Sequence, residues 1–185
     1  DACGIATVTV SPSSFTCSNI GANTVTLTVT DNKGNVKTGT ATVTVQDVTA
    51  PVAIAQNINA YLNASGTVTI TGAQVNNGST DACGSLTYSV SPSTFICSNT
   101  GANTVTLTVT DGSSNSSTAS ATVTVIDTIR PVVVTQNITV QLNSSGSATI
   151  TASQINNGSS DACGIATVTV SPSSFTCSNI GANTV

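Results

Sequence analysis

The chain has 185 residues, a net charge of −4, only 5% charged side chains and no His, Met or Trp. Such a composition lacks the basic footprint of a nucleic-acid binder and offers nothing to an anionic membrane surface. No apolar run reaches the ~20 residues that span a bilayer, and a sequence this low in net charge and rich in Val, Ile and Thr is not of the disordered class.

In chain order, residues 1–25 read DACGIATVTVSPSSFTCSNIGANTV. The string returns unchanged at 161–185 and in variant form at 81–105. Matching starts at Asp1, Asp81 and Asp161 set a period of 80, and the unchanged return suggests a longer period of 160 made of two alternating variants. TDNKGNVKT (30–38) reads as the turn of a final hairpin, and DVTAPV (47–52) as a linker, since Pro suits the start of an edge strand.

PVAIAQNINAYL (51–62) reads as a first strand split near Gln56–Asn57. GTVTIT follows, with Val68 and Ile70 on one face. GAQVNNGSTD (72–81) holds one short helical turn. SLTYSVS points Leu86, Tyr88 and Val90 one way. Cys97–Ala102 fits neither sheet on pattern alone. NTVTLTVTD puts Val105, Leu107 and Val109 on one face and Thr104, Thr106, Thr108 and Thr110 on the other. TDGSSNSST is a hairpin turn, and ATVTVID repeats the alternation with Val123 and Val125. DTIRPV (127–132) is the next linker.

The expected fold is therefore all-β: tandem immunoglobulin-like antiparallel β-sandwich modules of 80 residues, without the Trp of an antibody core. Residues 49–128 form one complete module, 1–48 the C-terminal part of a preceding one, and 129–185 the N-terminal part of a following one. The chain reads as a window on a longer array.

Six cysteines, Cys3, Cys17, Cys83, Cys97, Cys163 and Cys177, fall in three pairs with one spacing of 14. No His and no CxxC accompanies them, so disulfides in an oxidising compartment fit better than zinc. Ser91–Ser93 lies midway between Cys83 and Cys97, and a hairpin folded there brings these two together at its open end. Closing about 15 residues contributes on the order of 3 kcal/mol, useful to a small module with few aromatics.

DACG, GANTVTLTVTD, ATVTV-x-D and the x-PV linker resemble hyalin-repeat and related immunoglobulin-like tandem repeats. The match is nearest to those of giant Bacteroidetes surface adhesins of the gliding-motility type, exported by type IX secretion. The resemblance covers every repeat. It implies an extracellular, cell-surface string of β-sandwiches without catalytic activity. Related modules carry a further Cys early in the last strand, where this chain has Gly39 and Ala119. That departure leaves Cys83 and Cys97 as partners.

The seven acidic residues are Asp1, Asp31, Asp47, Asp81, Asp111, Asp127 and Asp161, and they occupy three repeat positions. In a sandwich with its termini at opposite ends, Asp47 faces Asp81 and Asp111, and Asp127 faces Asp161. Clustered oxygens at such domain junctions suit calcium, although Asp also suits turns and strand ends for its local backbone bonds. No cofactor is required by this reading, and calcium is the one candidate. Sequons begin at Asn63, Asn77, Asn115, Asn137, Asn143 and Asn157, and Thr128 sits in a short Asp-Thr-Ile string that resembles a Bacteroidetes O-glycosylation motif.

No catalytic residue is assigned. The only basic groups are Lys33, Lys37 and Arg130, no His serves as a base, and Phe15, Phe95 and Phe175 read as core. The expected function is a structural repeat of a long extracellular filament or adhesin stalk, giving reach and stiffness for adhesion or gliding. Its partners are neighbouring repeats of the same chain, with other filaments or surface polysaccharide beyond. The competing reading is a module whose every repeat binds polysaccharide, for which Tyr61 and Tyr88 are the only further aromatics. Short protomers could also polymerise by strand addition, although the shared first and last strings favour one continuous chain.

Overall fold

The computed structural model describes residues 2–185. β1 (Ile5–Ser11), β2 (Gly21–Asp31) and β3 (Val36–Val45) form a three-stranded antiparallel sheet in that order. Each strand alternates Thr with Val, Ile, Leu or Ala, the residues that tolerate a pleated, half-buried surface. The β2–β3 turn closes with Asp31 N–H donating to Asn35 O at 3.0 Å.

The next stretch opens with two isolated bridges, Val52 to Thr80 and Ala55 to Asn76, before β4 (Ile58–Tyr61), so the first strand is split at Gln56–Asn57. β5 (Thr67–Thr69) leads into α1 (Gly72–Val75), whose first turn is capped by Gln74 Oε1 accepting Thr71 N–H at 2.7 Å. Gly72 is required there: a Cβ would lie 2.6 Å from the Tyr88 carbonyl carbon. β6 (Thr87–Ser91), β7 (Thr94–Ile96), β8 (Gly101–Thr110) and β9 (Ser116–Ile126) follow. Strands β4-β9-β8-β6 make a four-stranded sheet in that order, and β5-β7 a separate two-stranded one. The chain then repeats β10 (Ser147–Thr149), α2 (Ala152–Ile155) and β11 (Ser174–Thr176), with β10 and β11 paired antiparallel.

The structure is thus mostly β with antiparallel pairing. Two compact units are present. One runs through Ile58 and adds Thr71–Pro92 and Thr104–Thr122. The other comprises Asn59–Ile70, Ser93–Asn103 and Val123–Val185. In the first unit Val75, Val105, Leu107 and Val109 are buried; in the second Leu62, Ile70, Phe95, Val123, Val125 and Phe175 are. Cys97–Asn99, which pattern left unplaced, is a single turn of 3-10 helix leading into β8.

The Ser91–Ser93 turn is not a hairpin tip. β6 pairs with β8, Ser91 opposite Thr106, whereas β7 leaves to pair with β5, Val68 opposite Phe95. The chain therefore changes sheets at Pro92 instead of folding back along β6, and Cys83 and Cys97 are not brought together.

Burial differs sharply between equivalent positions. Leu107 on β8 is 0% exposed, but its counterpart Leu27 on β2 is 44% exposed. Among the described residues, β1–β3 have no counterparts of β4, β5 and α1. Among them also, no helix is long and apolar enough to cross a membrane.

Candidate functional site: cross-repeat disulfides and acidic clusters

The two bridges correct the expected pairing. Cys17 bonds to Cys83 and Cys97 to Cys163, with Cα–Cα distances of 5.0 and 5.1 Å and a sequence separation of 66 in both. Each joins the 3-10 turn of one repeat to the Asp-Ala-Cys-Gly turn of the next. The hairpin pairings Cys3–Cys17, Cys83–Cys97 and Cys163–Cys177 are excluded, because Cys17, Cys83, Cys97 and Cys163 are already engaged. Cross-linking a loop of this length removes more chain entropy from the unfolded state than a 15-residue hairpin does, about 4 kcal/mol against about 3 in the loop-entropy model. Disulfides of this kind belong to an oxidising compartment.

Cys3 and Cys177 are exposed. Cys177 Sγ lies 3.7 Å from Gly146 O, as Cys97 Sγ lies 3.7 Å from Gly66 O. Gly66, at φ +71°, permits this approach: a Cβ there would sit 2.6 Å from Cys97 Sγ. Its repeat in Gly146 was the available sequence signal.

The half-cystines of the Asp-Ala-Cys-Gly turns are positioned by their own aspartates. Asp81 Oδ1 accepts Cys83 N–H at 2.7 Å, and Asp161 Oδ1 accepts Cys163 N–H at 2.8 Å. The linker aspartates act alike, Asp47 Oδ1 accepting Thr49 N–H and Asp127 Oδ1 accepting Ile129 N–H, both at 3.0 Å. Each acidic turn therefore uses one oxygen to hold its local backbone.

Asp111 is held more tightly. Its Oδ1 accepts the N–H groups of Ser113 at 2.9 Å and Asn115 at 2.8 Å, and its Oδ2 accepts Asn115 Nδ2–H at 2.9 Å. Burial alone would raise its pKa, but these bonds from Asn115, Ser113 and Ser114 outweigh that and hold it below the ordinary carboxylate value. Asp31 is lowered likewise, first by the Asn35 side chain and then by the Asn35 N–H. Asn115 has a second role that sequence reading missed: its Nδ2 also donates to Asp47 O at 3.2 Å, while Ser117 Oγ donates to Pro51 O at 2.5 Å. The Asp-x-x-x-Asn spacing, repeated in Asp31–Asn35 and Asp111–Asn115, was the signal for it.

The acidic side chains fall into two groups. Carboxylate oxygens of Asp47, Asp81 and Asp111 lie within 4.8 Å of one another. In the second unit, ligand atoms of Asp127, Asp161 and Cys163 do the same, Cys163 being half of a disulfide. Asp1, which belongs to the same repeat position as Asp81 and Asp161, lies outside the described residues. Thr128 is exposed, next to Asp127 in the linker. No known protein-family model matches the chain, and the curated proteins include no significant match to it.

Proposed function

We propose that this chain is a structural repeat of a long extracellular filament or cell-surface adhesin stalk, built from 80-residue immunoglobulin-like β-sandwich modules. Its task is reach and stiffness. The observation that carries the reading is the equivalence of the two bridges: Cys17–Cys83 and Cys97–Cys163 occupy the same repeat positions. Covalent links thus step along the sequence one repeat at a time, which suits a thread under tension better than a module that folds and acts alone.

The surface chemistry supports the same task. Three basic side chains in 185 residues offer little to trypsin-like proteases, and the Thr-rich strand faces are polar without charge. The resemblance to hyalin-type repeats of gliding adhesins accords with a stalk whose partners are its own neighbouring repeats, and with a place outside the cell.

Electron microscopy of the purified full-length protein tests this. A thin thread is expected, lengthening by roughly 35–40 Å for each added repeat, from strands of about ten residues at ~3.3 Å each plus turns. A compact particle whose dimensions do not scale with repeat number, or saturable polysaccharide binding by every repeat, refutes the stalk.

A further inference from the structure

Local turn bonds account for one oxygen on each of Asp47 and Asp81. They do not account for Asp47 Oδ2. This atom exposes less than 1 Å² to solvent and has no hydrogen-bond partner. A buried, unpartnered carboxylate oxygen is costly, and here it belongs to a group that also contains Asp81 and the buried Asp111, 6% exposed. The donors that these three carboxylates accept from are Thr49, Cys83, Ser113 and Asn115, none of them a basic side chain.

We propose that Asp47, Asp81 and Asp111 form a binding site for one calcium ion. The ion's charge would offset two of the three carboxylate charges and give Asp47 Oδ2 a partner. Calcium–oxygen distances of about 2.3–2.6 Å place ligands on opposite sides of one ion about 5 Å apart. Carboxylate oxygens within 4.8 Å of one another can therefore share it. Three carboxylates favour calcium over magnesium, which keeps most of its water and takes one or two. Softer metals find no imidazole in the chain, and Cys83 is consumed by its bridge. The site does not depend on the stalk reading and can be tested on this chain by itself.

The test is calcium titration of the oxidised chain after dialysis against a chelator, followed by calorimetry and by thermal unfolding. An affinity of about 0.1–1 mM, the range of extracellular modules, is expected. At 10 mM calcium the unfolding midpoint should rise by a few degrees, and magnesium at the same concentration should shift it much less. Asp47→Asn keeps the Oδ1 acceptor for Thr49 and should weaken calcium binding at least tenfold, whereas Asp31→Asn should leave it unchanged. Asp81→Asn provides the same readout should Asp47→Asn fail to fold. Absence of heat and of a shift up to 10 mM overturns the proposal. So does calcium binding undiminished in Asp47→Asn or Asp81→Asn.

Discussion

The connectivity of the bridges sets how far the chain can be drawn out by its ends. Fully extended, 185 residues span about 630 Å at ~3.4 Å each. Each bridge withholds the 66 residue steps from one partner to the other, about 220 Å, so the pair withholds about 450 Å and leaves about 180 Å. Three bridges closing 14-residue hairpins would instead withhold about 140 Å and leave about 490 Å. Optical-tweezer extension of the chain between handles at its two ends separates these values. Under oxidising conditions the unfolded contour should stop near 180 Å, and after a reducing agent it should approach 630 Å. An oxidised contour near 490 Å, or one indifferent to reduction, refutes the cross-repeat connectivity and with it the observation on which the stalk reading rests.

Two further outcomes follow from burial and from hydrogen bonding. Leu107→Ala removes a fully buried side chain and should cost about 2–5 kcal/mol in urea unfolding; Leu27→Ala, at the equivalent but 44% exposed position, should cost well under half as much, and equal losses would refute the burial contrast. Asp111 has a lowered pKa in the folded chain, so its stabilising contribution is complete above the unfolded carboxylate value and is lost as pH falls through the folded one. Asn115→Ala removes a main cause of that lowering, so the Asp111 carboxyl should titrate closer to 3.8 by NMR and acid unfolding should begin at higher pH. A titration curve that does not move sinks the assignment.

Antiparallel β structure was legible because side-chain direction in a strand is local. Thr/Val alternation alone sets which of Thr104–Val109 turn inward, and Val105, Leu107 and Val109 are the buried ones. The α1 turn and the break at Gln56–Asn57 are also marked locally, by Thr71–Gln74 capping and by the loss of alternation. Disulfide pairing was not legible from spacing, because it depends on which strand each segment joins. Ser-Pro-Ser has the composition of a hairpin tip, yet here it carries the chain from a partner on β8 to a partner on β5. The buried state of Asp47 Oδ2 was out of reach for the same reason, since the Asp111 turn, whose Asn115 donates to Asp47 O, is remote in sequence.

The duplicated 25-residue string shows how far partner choice governs this chain. In its first copy Ile5–Ser11 is β1, laid along β2 with Val8 opposite Val29, while Ser14–Thr16 is not a strand. In its second copy the assignment is reversed: Ile165–Ser171 forms no strand, and Ser174–Thr176 is β11, paired with β10 through Phe175 opposite Ala148. The residues are identical, so intrinsic propensity cannot decide between the two outcomes. What differs is which partner strand the described residues supply, β2 for the first copy and β10 for the second; the variant copy at 81–105 has both kinds of partner, β8 and β5, and forms both β6 and β7. β-propensity describes fit to a pleated, half-buried surface rather than a backbone preference, and an isolated extended segment gains too little to form alone. Each repeat therefore takes its structure from segments on both sides of it. The bridge joining 3-10 turn to Asp-Ala-Cys-Gly turn spans the sequence boundary between repeats, where the covalent chain alone would leave the next repeat's partner strands to find their places unaided.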